Sequence, residues 1–514
     1  MIGSHSRSQG TKSQHLIILV IYGILLFIGI AHHEMWMDES HHWLVAREST
    51  SLASLLDNYK YDGHPILWVV MMYGCSLVTE SPTLIQYLHG MISLLAVGIF
   101  LFQAPFSRYF KYGIALGYYP LYEYGVISRN YSLLMLFLFC LPYCIQVAAK
   151  RPSLTWIVLG IIANTHLFGL VFSAVFGLYY FYTTYIVNSE RQSRSGLGIG
   201  VFIVSLLFST WTILPPSDHP SLEISLFFLS FSKIADTVML LFKALIPLPD
   251  ITSRWPWGTN LLTSQLKWIV APIAIISWAI PLAYQWTSRR LIVLWYLTAL
   301  PLAVFFAITS LHSGLRYSGV FLLFLLTLKW IDSNLPSQLD QSPRGQPMKK
   351  MTFTITAFIV SSHLLAGLYL LAVDIHKPFS STQVIYNDLR SMDYHRLPIT
   401  SNAYCNCISI ENYHKRPLYF LNIGRAMKFC QWDQLVKAKG MKNQYDLSKS
   451  IDKTLAYLES EGSAKSILLY HGDDIFAPDF LDNAALNSQK VTHLKTYHQG
   501  IVKRENFAVF LVER

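Results

Sequence analysis

Long apolar runs recur along this chain from Ile17 to Val373 and then stop, and nothing else in the sequence restricts its fold as strongly. A stretch of about 20 apolar residues crosses a bilayer as a helix, because only a helix satisfies its own backbone in lipid. Only 14% of the 514 residues are charged, where a soluble domain carries roughly 25%. The pattern excludes a soluble enzyme, a disordered scaffold and a secreted disulfide mini-domain. The surplus of 40 Lys and Arg over 30 Asp and Glu belongs to the cytoplasmic loops of a membrane protein, so it is not a nucleic-acid-binding signal.

The apolar segments predict spans near Leu16–Ile30, Pro65–Val78, Leu84–Phe106, Tyr112–Ile127, Tyr131–Ala149, Leu154–Phe168, Gly169–Val187, Leu197–Leu214, Leu266–Trp286, Leu291–Thr309, Tyr317–Ile331 and Phe353–Val373. The first follows a polar, basic N-terminus without a small-residue cleavage site and reads as an uncleaved signal anchor. Basic clusters at Lys150–Arg151, Arg191/Arg194, Arg289–Arg290 and Arg344/Lys349–Lys350 share one side if Pro65–Val78 is short or juxtamembrane. That gives about 11–13 crossings. The N-terminus is then cytoplasmic, and the loops 32–64 and 215–263 and the tail lie outside. Charges at Lys233, Asp236 and Lys243 make Leu222–Leu248 an interfacial rather than a spanning helix.

After Lys377 the composition becomes that of a soluble protein. Helical patterns near Thr382–Met392, Gln431–Lys439 and Lys449–Glu461 alternate with strand-like Leu418–Leu421, Ile467–Tyr470 and Phe507–Val512. The expected fold is a polytopic α-helical membrane protein, residues 1–376, with a small extracytoplasmic α/β domain, 377–514. Cys405, Cys407 and Cys430 lie in that tail, and either of the first pair could bond Cys430.

The strongest chemical feature is Trp36-Met37-Asp38-Glu39-Ser40, just past the first helix and followed by His41–His42. Adjacent carboxylates at a bilayer surface suit general-base work, one taking a hydroxyl proton while its neighbours tune the pKa. An arbitrary Asp-Glu pair is more often a solvated loop, but here an amphipathic run leads on to Asp62-Gly63-His64-Pro65. His32, His33, His41, His42 and His64 crowd this loop with Glu34, Asp38 and Glu39. Imidazole and carboxylate suit Zn or Mn, yet the spacing matches no ligand signature. No metal ligand is assigned, and a divalent metal stays an open alternative.

"WMDESHHWLVA" followed by "YDGHPILWVVMMY" resembles the opening of the GT-C membrane glycosyltransferases. More narrowly, it is similar to glycosyltransferase family 39, which groups protein O-mannosyltransferases with lipid A aminoarabinose transferases. "YYPLYEYGVISRNYSLLMLF" resembles that family's segment with Ser-Arg and a following Tyr, "NTHLFGLVF" its outside histidine turn, and "HSGLRYSGVFLLFLL" its late arginine motif. The chain departs at His64-Pro65-Ile66, where the family has two successive prolines, and it has no MIR-type repeats.

The resemblance implies inverting transfer of a sugar from a polyprenyl-phosphate donor to a hydroxyl of a lipid, glycan or protein acceptor at the non-cytoplasmic membrane face. By it, Asp38 is the catalytic base and Glu39 the second acid. His64, Arg129, Tyr131, His312 and Arg316 bind substrate, the arginines being candidates for the donor phosphate. Glu123 and Asn130 flank the Ser-Arg motif and are candidates for sugar contact, with ordinary polar lining the competing role. A bacterial plasma membrane is the expected location. The competing reading is a secondary transporter or flippase for lipid-linked sugars, which would place charges at the bilayer midplane in paired halves.

Overall fold

The structure is a computed structural model and describes residues 2–148, 150–187, 196–217, 230–253, 259–283, 286, 288–309, 314–335, 346–434, 436, 445–477, 480 and 490–514. The basic pair Arg191/Arg194, Arg344 and His312 lie outside the described residues, as do residues 435 and 437–439 of the stretch Gln431–Lys439.

The chain runs through α1 (Ile2–His32), α2 (Met37–Arg47), α3 (Leu52–Tyr59), α4 (Leu67–Ser76), α5 (Thr83–Gln103) and α6 (Arg108–Ala115). A π-helix (Tyr118–Val126) precedes α7 (Tyr131–Gln146), α8 (Pro152–Ala163), α9 (Leu167–Phe181), α10 (Gly196–Ile213) and α11 (Phe231–Leu245). Then come α12 (Leu261–Gln265), α13 (Lys267–Ser277), α14 (Ile280–Ala283), α15 (Arg289–Ile308), α16 (Leu315–Ser333) and α17 (Gln346–His376). Among the described residues, six helices are long and apolar enough to cross a membrane: Thr11–His32, Thr83–Gln103, Leu167–Val187, Gly196–Ile213, Arg289–Ile308 and Phe353–His376. Shorter apolar helices lie at Leu67–Ser76, Tyr131–Gln146, Pro152–Ala163 and Lys267–Leu282. Their outward faces keep residues such as Leu207, Ile269 and Leu365 exposed, as a lipid-facing surface requires. The chain is a multi-pass membrane protein.

The expected span Tyr112–Ile127 is not one helix. It divides at Gly117, whose backbone is extended, into α6 and the wholly buried π-helix. Gly117 lies against Gly367 of α17, where a side-chain carbon on Gly367 would come within 2.8 Å of the Gly117 backbone. Pro120 removes a donor from the helical ladder. Within Leu222–Leu248 the described residues include α11, which buries Leu240, Leu241 and Leu245 and exposes Phe231 and Ile234.

The tail holds α18 (Thr382–Ser391), α19 (Glu411–His414) and α20 (Leu447–Glu461) with a six-stranded sheet. Its strands are β1 (Ile399–Ser401), β2 (Leu418–Phe420), β3 (Arg425–Met427), β4 (Lys465–Tyr470), β5 (Val491–Tyr497) and β6 (Phe507–Glu513), in the order β3-β2-β1-β4-β6-β5. β1 is parallel to both β2 and β4, and the remaining pairs are antiparallel. Cys405 bonds Cys430, and Cys407 is free and buried.

The tail meets the membrane part on α2. Asn412 Nδ2 donates to Ser40 Oγ at 2.8 Å, Lys428 Nζ pairs with Glu48 Oε2 at 2.7 Å, and Arg47 pairs with Glu411. The buried pairs among these, Asn412–Ser40 and Arg47–Glu411, hold an orientation, because separating the surfaces would leave them unpaired.

Candidate active site

Asp38 lies in the first turn of α2, where the helix dipole favours a negative charge. Its side chain keeps 23% of its surface exposed, and two deeply buried guanidinium groups meet its Oδ2, Arg316 Nη1 at 2.7 Å and Arg129 Nη1 at 3.0 Å. Burial works to raise the Asp38 pKa, but Arg129 and Arg316 outweigh it and hold the carboxyl below its usual value. The carboxylate is therefore ionised throughout the physiological range. Arg129 Nε is buried without a hydrogen-bond partner among the described residues, so this guanidinium retains a donor.

The π-helix fixes the arginine on the far side. Tyr119 Oη donates to the Leu315 carbonyl at 3.1 Å and Tyr124 Oη to the Arg316 carbonyl at 2.5 Å, clamping the start of α16. Gly319 permits this approach, since a side-chain carbon there would come within 2.4 Å of both tyrosines. The Arg316 guanidinium lies 5.0 Å from the Trp36 ring centre, and its Nε is 3.7 Å from Glu123 Oε1. Glu123 Oε2 in turn accepts a 2.6 Å hydrogen bond from Tyr118.

Glu39 behaves differently from its neighbour. It is fully buried, accepts from Ser128 N and lies 2.9 Å from His33 Nε2, while His33 Nδ1 is 2.8 Å from Asp374. Burial alone would lower the His33 pKa, yet the flanking Asp374 and Glu39 carboxylates raise it to about 10. The resulting imidazolium ties the end of α1 and the end of α17 to α2. Adjacent helix residues do not share a face, so Asp38 meets the arginines while Glu39 meets the scaffold.

The other sequence candidates gather beside Asp38. Tyr131 stacks on Tyr124 with ring centres 4.8 Å apart and lies 4.8 Å from the His166 ring, which is 5.3 Å from that of His64. Burial lowers the His64 pKa to about 4, so it is neutral at pH 7 and supplies no charge. Asp62 is held well below the usual carboxylate range: burial opposes ionisation, but His42 at 2.8 Å and His41 at 3.5 Å overcome it. Asn130 turns inward, its Nδ2 donating to the Thr165 carbonyl at 2.8 Å. Trp36, Asp62 and His33 have roles that the sequence reading did not assign. The Asp62-Gly63-His64 run beside paired histidines was the one available signal for Asp62. Among the described residues, no three His, Cys, Asp or Glu side chains converge as a group that could hold a metal ion.

No protein-family model matches the chain, and no curated protein sequence does so. The crystal structure of ArnT from Cupriavidus metallidurans in the apo state aligns at a TM-score of 0.50 and 14% identity, covering 98% of this chain and 98% of that chain. The chain shares the fold of that structure. A cryo-electron-microscopy structure of the arabinofuranosyltransferase AftD from Mycobacteria aligns over 98% of this chain and 40% of that one, with a TM-score of 0.36 and 11% identity. The ArnT likeness is one of architecture, extending over both the helical membrane part and the tail. What the site does is read from its own geometry.

Proposed function

We propose that this protein is an inverting membrane glycosyltransferase that moves a sugar from a polyprenyl-phosphate donor to an acceptor hydroxyl. The carrying observation is the partly exposed Asp38 carboxylate held against Arg129 and Arg316 where α2 meets the start of α16. Inversion needs one carboxylate to remove the acceptor proton while phosphate leaves from the opposite face of the sugar. Asp38 takes that proton as the acceptor oxygen bonds the anomeric carbon. The bond from that carbon to the phosphate oxygen breaks, and its electron pair stays with the lipid phosphate. The arginines bind that dianion, whose charge grows as the bond breaks, in surroundings where a charge pair counts for more than in water.

His64, His166 and Tyr131 line the same region as neutral groups able to face sugar hydroxyls. Glu39 holds α2 in place rather than reacting. The acceptor is a lipid, glycan or protein hydroxyl, and the ArnT-like architecture of both parts supports a lipid-linked donor.

Incubating purified protein with radiolabelled polyprenyl-phosphate sugars tests the reading. Release or transfer of label supports it, and silence with every donor would count heavily against it.

The reaction belongs at the non-cytoplasmic face of a bacterial plasma membrane, because the basic clusters then all lie inside. A phosphatase fused after Arg514 should be active, and protease added to spheroplasts should cleave the tail. An inactive fusion with a protected tail reverses this orientation.

A further inference from the structure

Helix α2 starts at Met37, and its N-cap residue Trp36 has extended backbone and no side-chain capping bond. A helix start leaves backbone N–H groups without intrahelical acceptors, usually met by a nearby Ser, Thr, Asp or Asn. Here the acceptor comes from the other end of the chain. Met37 N–H donates to Glu505 Oε1 at 2.7 Å across 468 residues of sequence. Glu505 ends the short 3-10 turn Lys503–Glu505 ahead of β6 and is 1% exposed. Its other oxygen, Oε2, accepts from Ser409 Oγ at 3.4 Å. The capped residue immediately precedes Asp38, so the bond fixes the backbone from which that carboxylate projects.

We infer that Glu505 is a positioning residue: the tail domain caps α2 in place of a local side chain and thereby sets the Asp38 carboxylate against Arg129 and Arg316. The inference rests on the reading of Asp38 as the reacting carboxylate. It gives the tail a part in the chemistry through the backbone that carries Asp38. Burial pushes the Glu505 carboxyl up to about 8. Hydrogen bonds from Ser380, Met37 and Ser409 work against that shift, and the Asp38 charge adds to it. The titratable and charged groups around Glu505 are Asp38 on α2 and Cys407 ahead of Ser409, with Lys503 and Arg504 beside it on its own turn. A carboxyl that is largely neutral near pH 7 is well imitated by glutamine, whose carbonyl oxygen still accepts the Met37 bond.

The test uses the full-length protein and reads hydrogen exchange over residues 36–44 together with sugar transfer. Glu505→Ala should speed exchange of the first turn of α2 by about tenfold, the scale of a lost cap. Turnover should fall by about ten- to a hundredfold with the donor KM unchanged, since a small displacement of a reacting group costs that much. Glu505→Gln should restore both.

Met37→Pro removes the donor N–H instead. Proline is well tolerated at the first helical position, and Trp36, at φ −92° and ψ −179°, already has the extended backbone required before it. It should reproduce the Glu505→Ala losses, and the double variant should add little. If Glu505→Ala does not fold, Met37→Pro decides alone. Exchange unchanged from wild type in the variants, or Gln as damaging as Ala, would overturn the cap. Exchange requires no substrate, so a failure of the glycosyltransfer reading leaves this measurement intact.

Discussion

Asp38→Asn should lower sugar transfer by on the order of 10²–10⁴-fold, the usual loss when a general base is removed, and should raise affinity for the polyprenyl-phosphate donor. The second effect follows from geometry. Both arginines are directed at Asp38 Oδ2, so a donor phosphate must compete with the carboxylate for them. Removing the negative charge ends that competition, and a charge-assisted pair of about 1.5–3 kcal/mol would appear as about tenfold or more in donor Kd. A general loss of structure would weaken donor binding instead.

The pH behaviour has a definite sign. Arg129 and Arg316 hold the Asp38 carboxyl below its usual value, so the pairs stabilise the fold fully above the ordinary Asp pKa. That stability is lost only as pH falls through the depressed value. The acidic limb of kcat/KM should accordingly lie below the ordinary Asp pKa. In the donor complex, phosphate draws the guanidinium groups away and the limb of kcat should move upward. Near-normal transfer in Asp38→Asn would sink the assignment.

Arg316→Ala and Arg129→Ala should each reduce turnover by about 10²–10³-fold, the range seen when one donor to a developing oxyanion is removed. The two substitutions should be strongly non-additive, because both groups meet one oxygen atom of Asp38. Arg316→Lys should recover part of the loss but not all of it. A lysine keeps the charge yet cannot span Asp38, Glu123 and the face of Trp36 together. Arg129 retains a buried donor without a partner among the described residues, and its loss should fall harder on donor KM. Steady-state kinetics with a single labelled donor separates the cases. Turnover untouched by Arg316→Ala but abolished by Arg129→Ala would assign the phosphate to the earlier motif alone.

Much of the architecture is written in periodic, local signals. The apolar runs mark most of the spanning helices, and the short continuous apolar runs at Ile467–Tyr470 and Phe507–Val512 mark β4 and β6. The break at Gly117 was signalled by Gly and Pro, but the apolar run around them masked it. β1 has three residues and β5 carries His493 and Lys495, so neither shows a buried-strand pattern. Asp38, Arg129 and Arg316 each stand out in their own motifs. Their convergence on one oxygen, with Arg316 lying 278 residues from Asp38, is tertiary and has no local signature. His64 shows the same limit from the other side. The sequence marks it as a substrate-binding candidate without deciding its charge, and only burial decides that it is neutral. Glu505 had no signal at all.

The Cys405–Cys430 bond has a consequence at the bench. It closes a loop of sequence separation 25 that carries Ser409, Glu411 and Asn412, the side chains that reach Glu505 and α2. Both half-cystines are buried, so thiol reductants should inactivate this protein only under conditions that open the tail domain, while its membrane helices stay folded. A preparation that looks monodisperse and helical after such treatment could still be mistaken for a dead enzyme. Re-oxidation would have to select Cys405 over the buried thiol at Cys407, so dialysis against a glutathione redox couple should recover more activity than exposure to air.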